Sequence, residues 1–155
     1  MKQRPDAALE VALEQRQRVL DQERQVLAER ELAVREQAAL LQAAEARVRM
    51  VLMQIDAAQR PSPGVSLAVG VLGDLERMLD WCEVQVAVQK ERLDIACGEA
   101  DAARGGVAVA HQQVRALELV LEARAAERAE KQRRAELRLA DETAARVHSR
   151  RMVAR

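Results

Sequence analysis

Arg60–Ser66 reads RPSPGVS, with two prolines and a glycine inside four residues. Proline offers no amide hydrogen and clashes with the preceding helical turn, so a helix that reaches this point ends and the chain turns. The flanking stretches carry no comparable cluster of breakers. Before it, one helix is expected over about 6–59, with Pro5 tolerated at its start and Asp6 favoured by the positive end of the helix dipole. After it, a second helix is expected over about 67–153, within a single elongated coiled-coil domain covering 1–155. Unbroken, that second helix would extend roughly 120–130 Å at about 1.5 Å per residue.

Whether the two arms pack on each other is read from their periodicity. Every seventh residue of the first arm is apolar: Leu13, Leu20, Leu27, Val34, Leu41, Val48 and Ile55. An unbroken heptad row of this length is a coiled-coil signal. Its companion row is half polar toward the N-terminus: Leu9, Arg16, Glu23, Arg30, Gln37, Ala44 and Val51. Val19, Val26, Ala33 and Leu40 flank the ladder and are expected to widen the stripe. The second arm repeats the pattern with Leu72, Leu79, Val86, Leu93, Ala100, Val107, Val114 and Leu121 beside Leu75, Cys82, Gln89, Ala96, Ala103, Ala110 and Leu117.

Folding back at Pro61–Gly64 pairs residues whose numbers sum to 127, from Ile55 with Leu72 to Leu13 with Val114. Equal heptads guarantee that constancy. The informative point is that the ladder of the second arm stops after Leu121, where the first arm runs out of chain. An intramolecular hairpin requires that coincidence and a parallel dimer gives no reason for it. The expected fold is therefore all-α, an antiparallel two-helix coiled-coil hairpin whose second helix is longer than the first. Gly105 and Gly106, inside the second helix, read as a weak spot or bend.

Composition agrees. The chain has 155 residues, one Trp and no Phe or Tyr, so the aromatic burial that supports most globular cores is missing. With 25 basic and 25 acidic side chains, its surface is not built as a whole for nucleic acid. The apolar runs fall short of a membrane span. Cys82 and Cys97 are about 22 Å apart along one helix and cannot pair there, which suits a reducing cytoplasm. His111 and His148 have no ligand partners at helical spacing, and no phosphate loop or nucleophile constellation is present. No enzyme, metal or cofactor is expected.

Two surface regions stand out. Trp81, Val88 and Ile95 fall on the outer face of the second arm, Met78 flanks the seam, and Met50 and Met53 point outward from the first. Trp and Met are enriched in interface patches, which suggests a partner site in the turn-proximal half. From Arg124 onward the chain carries ten basic and five acidic residues, keeps helix-forming composition and has no seam. Ion pairs at i,i+4, such as Glu127–Lys131 and Glu130–Arg134, would support it. A lone helix is marginal in water, so a partner completing it is the functional expectation.

The charged opening LEVALEQRQRVLDQERQVLAERE, the Pro/Gly turn, the second-helix start VLGDLERMLDWCEVQVAVQKERLDIA and the ending EKQRRAELRLADETAARVHSRR resemble the FliJ family over nearly the whole chain. That family comprises the small stalk proteins of flagellar export, related to type III secretion stalks of injectisomes. The resemblance implies a non-enzymatic stalk whose termini end enters the hexameric export ATPase, promotes its assembly and activity, and links it to the cytoplasmic domain of the export gate. Export chaperones are further expected partners, and the location is cytoplasmic, peripheral to the export apparatus at the inner membrane, without membrane insertion. The most specific piece is Asp141, Glu142 and Ala144 before Arg146. With it, Arg134, Arg138 and Arg150 become the ATPase-facing candidates. By the LERML segment, Val71, Leu75, Met78 and Cys82 are carried onto the gate-facing patch, where Met50, Met53 and Trp81 join them from the surface reading. The same sequence admits an injectisome stalk, a dimeric scaffold coiled coil, or a basic tail for nucleic acid or an anionic membrane. Zero net charge disfavours the last, and the free chain is expected to be a monomer.

Overall fold

The computed structural model describes residues 6–60 and 69–153, and these contain two helices and no strand. Helix α1 spans Ala7–Gln59 and helix α2 spans Val69–Val153. They form a helix hairpin whose second arm is the longer. The turn at Pro61–Gly64, the expected start of the second helix at 67 and Pro5 fall outside the described residues.

Contacts group the chain into two units, Met1–Leu20 with Ala110–Arg155, and Asp21–Val109. In the second of these the core is Ala44, Val51, Cys82, Ala96, Ala100 and Ala103, all buried. Leu27, Val34, Leu41, Val48, Ile55, Leu72, Leu75, Leu79, Val86 and Leu93 are half-buried around them. Each is a member of one of the heptad rows. The termini-bearing unit buries Leu20, Ala110 and Val114, with Leu9, Leu13, Leu117 and Leu121 half-buried. Among the described residues after Leu121 all but Glu130 are exposed, as the end of the ladder predicts.

The flanking row behaves differently from expectation. Val19, Val26 and Leu40 are exposed and only Ala33 is half-buried, so the stripe is narrower than the sequence suggests. Two helices in a coiled coil cover their facing rows alone, and a third apolar row needs a third element.

The polar members of the companion row are accommodated at the edges of the seam. In the turn-side unit Arg30 Nη1 donates to Glu99 at 2.7 Å, and Arg104 donates to Glu31 at 3.2 Å and to Asp101 at 2.6 Å. In the other unit Arg16 Nη1 donates to Gln113 Oε1 at 2.9 Å. The residue numbers sum to 129 for Arg30–Glu99 and Arg16–Gln113 and to 135 for Arg104–Glu31, above the expected 127. That is the direction in which helical side chains lean, toward the N-terminus of their own helix. Helix α2 passes through Gly105 and Gly106 without interruption. Gly106 has a packing reason: a Cβ there would lie 2.6 Å from Glu23 Oε2, so glycine lets the Glu23 side chain settle against α2. At Gly105 a Cβ would meet nothing.

Candidate partner-binding surfaces

The termini-bearing unit is closed by a charge clamp. Asp6 precedes α1, and its carbonyl accepts the first helical hydrogen bond from Glu10 N at 2.9 Å. Its carboxylate reaches across to α2, where it accepts from Arg124 Nη1 at 3.2 Å and from Arg128 Nη1. Asp6 is the buried charged residue of the described chain, while both arginines stay half exposed. Burial works against its charge, but the hydrogen bonds from Arg128 and Arg124 and the field of both guanidiniums outweigh it, holding the carboxyl below its usual range. The clamp therefore stabilises the fold above the ordinary aspartate value of about 3.9 and is lost as pH falls through the lowered one. Amide hydrogen exchange in the first turns of α1 is expected to accelerate below a pH of about 4. In Asp6→Asn exchange should be faster at neutral pH and should lack that step; an identical acid profile would remove Asp6 as the cause.

Beyond Arg128 the helix continues alone. All residues from Lys131 to Ser149 are exposed, including Leu137, Leu139 and Val147. Glu130 bonds Arg134 Nε at 2.8 Å, as its spacing predicts, and also Arg133. Glu127 and Lys131 form no pair among the described residues. Of the ATPase-facing candidates, Arg146 reaches Glu142 at 4.0 Å, Arg138 and Asp141 are exposed, and the side chain of Arg150 lies outside the described set. At about 100° per residue, Arg134, Arg138 and Asp141 share one face and Arg146 turns away from it. A second face went unread in the sequence. Ala140, Thr143, Ala144, Val147 and His148 line a shallow stripe, and Leu137 extends it one turn toward the N-terminus. The spacing 137, 140, 144, 147 carries the signal, but alanine at two of those places kept it below the charge pattern.

In the turn-side unit, Trp81, Met78, Val71, Met50 and Met53 are all more than half exposed. Val84 and Ile95 extend the apolar surface of α2, whereas Val88 is half-buried. Leu75 and Cys82 sit differently. Leu75 is half-buried and Cys82 is buried in the seam, so they support this surface from beneath instead of presenting it.

The family model described as Flagellar FliJ protein matches residues 5–153. The chain belongs to the FliJ family. No curated protein matches it. No solved structure matches it either. FliJ is a structural family of export stalks and is not known as an enzyme family, and membership implies a role in flagellar protein export. It also favours the flagellar reading over the injectisome one.

Within this FliJ chain the remaining polar chemistry is structural. Arg104 is raised above its usual value by hydrogen bonds to Glu31 and Asp101, and Arg115 likewise by Glu118 and Glu122. Both stay charged at any physiological pH, and each holds two carboxylates at the helix surface. Among the described residues no group of His, Cys, Asp and Glu could hold a metal ion, and no helix is long and apolar enough to cross a membrane. Cys97 is exposed, as are His111 and His148.

Proposed function

We propose that the chain is a stalk of the flagellar export machinery, acting as a monomer. Its termini end enters the hexameric export ATPase and promotes assembly and turnover of the ring. The exposed apolar surface around Met78 and Trp81 engages the cytoplasmic domain of the export gate, at the cytoplasmic side of the inner membrane. The observation that carries this reading is the run from Lys131 to Ser149, which is helical yet exposed throughout. An isolated helix of that length is marginal in water, so composition that keeps it helical points to a surface supplied from outside. Arg134, Arg138, Asp141, Glu142, Arg146 and Arg150 would supply its polar contacts, and Leu137, Ala144 and Val147 its apolar ones.

The test is a pull-down and turnover assay with the cognate ATPase, comparing the full chain with one ending at Glu130. That cut keeps Arg124 and Arg128 and therefore the clamp on Asp6, which a cut after Leu121 would remove. The shortened chain is expected to keep its thermal midpoint and to lose ring binding and stimulation. Unchanged stimulation rejects the assignment. In the same assay Met78→Ala with Trp81→Ala should leave stimulation intact and weaken capture of the gate domain.

A further inference from the structure

The two edges of the turn-side unit are unequal. One edge is charged: Glu31 of α1 meets Arg104 of α2 at 3.2 Å, and Lys90, Asp94 and Asp101 are exposed on the same side of α2. The other edge, about 200° round each helix, is apolar. There α1 presents the heptad row Val26, Ala33 and Leu40, and α2 presents the row Val88, Ile95, Ala102 and Val109. Ala33 and Val88 are half-buried and the other five are exposed. Ala33 and Ile95 border one open depression of about 230 Å³, together with Gln37, Arg92, Ala96 and Glu99. The two rows therefore flank the same groove.

Single exposed valines are ordinary on a protein surface. Two apolar heptad rows on either side of one groove are the pattern of a bundle that lacks its third helix. The residues between the rows also lack partners. Gln37 Oε1 is buried without a hydrogen-bond donor, and Arg92 forms no ion pair among the described residues. Charge then selects the occupant. Glu29 and Glu36 stand one heptad apart on the α1 rim and Glu91 stands on the α2 rim, all exposed. Among the described residues none of the three forms an ion pair, and Glu29 accepts only a long 3.5 Å hydrogen bond from Gln25. Glu99, by contrast, is held by Arg30 at 2.7 Å. The rims thus favour a helix with basic flanks. The overhang of a second copy does not fit. Its apolar row from Leu137 to Val147 covers about 15 Å, against about 32 Å from Val88 to Val109, and Glu136 and Asp141 flank it.

We propose that this groove takes one amphipathic helix of a partner protein. That helix carries apolar residues at three- and four-residue spacing over about three heptads, with lysine or arginine on its flanks. The groove uses none of the residues assigned to the ATPase or to the gate, and the inference does not rest on the proposed export role.

The probe is a labelled peptide of about three heptads, with leucine at both seam positions of each heptad and lysine on both flanks. A second peptide carries glutamate on the flanks instead. Fluorescence anisotropy with the full-length chain, at peptide concentrations too low for self-pairing, is expected to show the lysine peptide binding about tenfold tighter or more. Leu40→Gln with Ile95→Gln should weaken that binding by a similar factor without changing the charge of the groove. Glu29→Lys with Glu36→Lys should erase the preference for lysine. Leu32→Gln, exposed on α1 but turned about 100° away from Ala33, should leave binding unchanged. These positions are all exposed, so each variant is expected to keep its far-UV circular dichroism. Equal binding of the lysine peptide to the native chain and to the Leu40→Gln, Ile95→Gln variant overturns the site. Sedimentation showing a native dimer that the same variant returns to monomer also overturns it, because the occupant is then a second copy.

Discussion

Leu20→Ala is expected to destabilise the hairpin by about 2–4 kcal/mol. At this chain length that lowers the thermal midpoint by about 5–15 °C. Leu20 is only 5% exposed and is the largest of the buried apolar side chains among the described residues, the others being valine, cysteine and alanine. In a chain without phenylalanine or tyrosine, apolar burial is divided among many small contributors, and the few leucines that are covered carry a large share. Truncation removes their transfer free energy and leaves a void that two rod-like helices close only in part. Leu20→Met keeps the volume and should cost less than about 1.5 kcal/mol. Val19→Ala, one residue away but exposed, should stay within about 0.5 kcal/mol. Thermal melts followed by far-UV circular dichroism distinguish the three. A Leu20→Ala melt that overlays that of Val19→Ala would show that this row is not the core.

The opposite change is expected to harm the turn-side unit. Ala100 is 1% exposed, the least exposed residue of the core, and the heptad pairing expected from the sequence sets it against Leu27. Large against small is what lets the helices approach there. Ala100→Leu adds apolar surface but has no space to place it, and overpacking of this kind costs about 1–3 kcal/mol. Pushing the arms apart also stretches the neighbouring Arg30–Glu99 contact of 2.7 Å. That exposed pair adds little by itself, so most of the loss comes from packing. Leu27→Ala should destabilise too, through a cavity. Combining the two exchanges large and small across the seam and should recover much of the loss, giving a favourable coupling in a double-mutant cycle. Strict additivity in urea denaturation would mean that residues 27 and 100 do not touch.

Much of this architecture is legible in the chain because its determinants are local. The heptad rows name the buried residues, since a helix fixes which positions share a face whatever it packs on. The end of burial after Leu121 is legible for the same reason: the second arm loses its ladder near the level at which α1 begins. Val19, Val26 and Leu40 were misjudged because apolarity marks what could be covered, and two helices cover only two rows. Gly106 read as a weakness because the sequence shows the missing side chain and not Glu23, the neighbour that uses the space. The apolar stripe on the overhanging helix was hidden by its alanines, which look like helix filler until the stretch around them is seen to be bare.

The sequence by itself determined two helices, their antiparallel return, the rows that meet and the point where the seam ends. Periodicity and helix breakers act within a few residues and need no partner to be read. Only the tertiary structure decided that the Asp6 side chain, at the start of α1, reaches across to clamp Arg124 and Arg128. It alone decided that Arg16 and Arg30 resolve their seam positions by reaching Gln113 and Glu99, and that the amide oxygens of Gln37 and Gln89 are buried without a partner. Long polar side chains have several rotamers of nearly equal energy, and the choice among them is made by whatever the opposite helix places within reach.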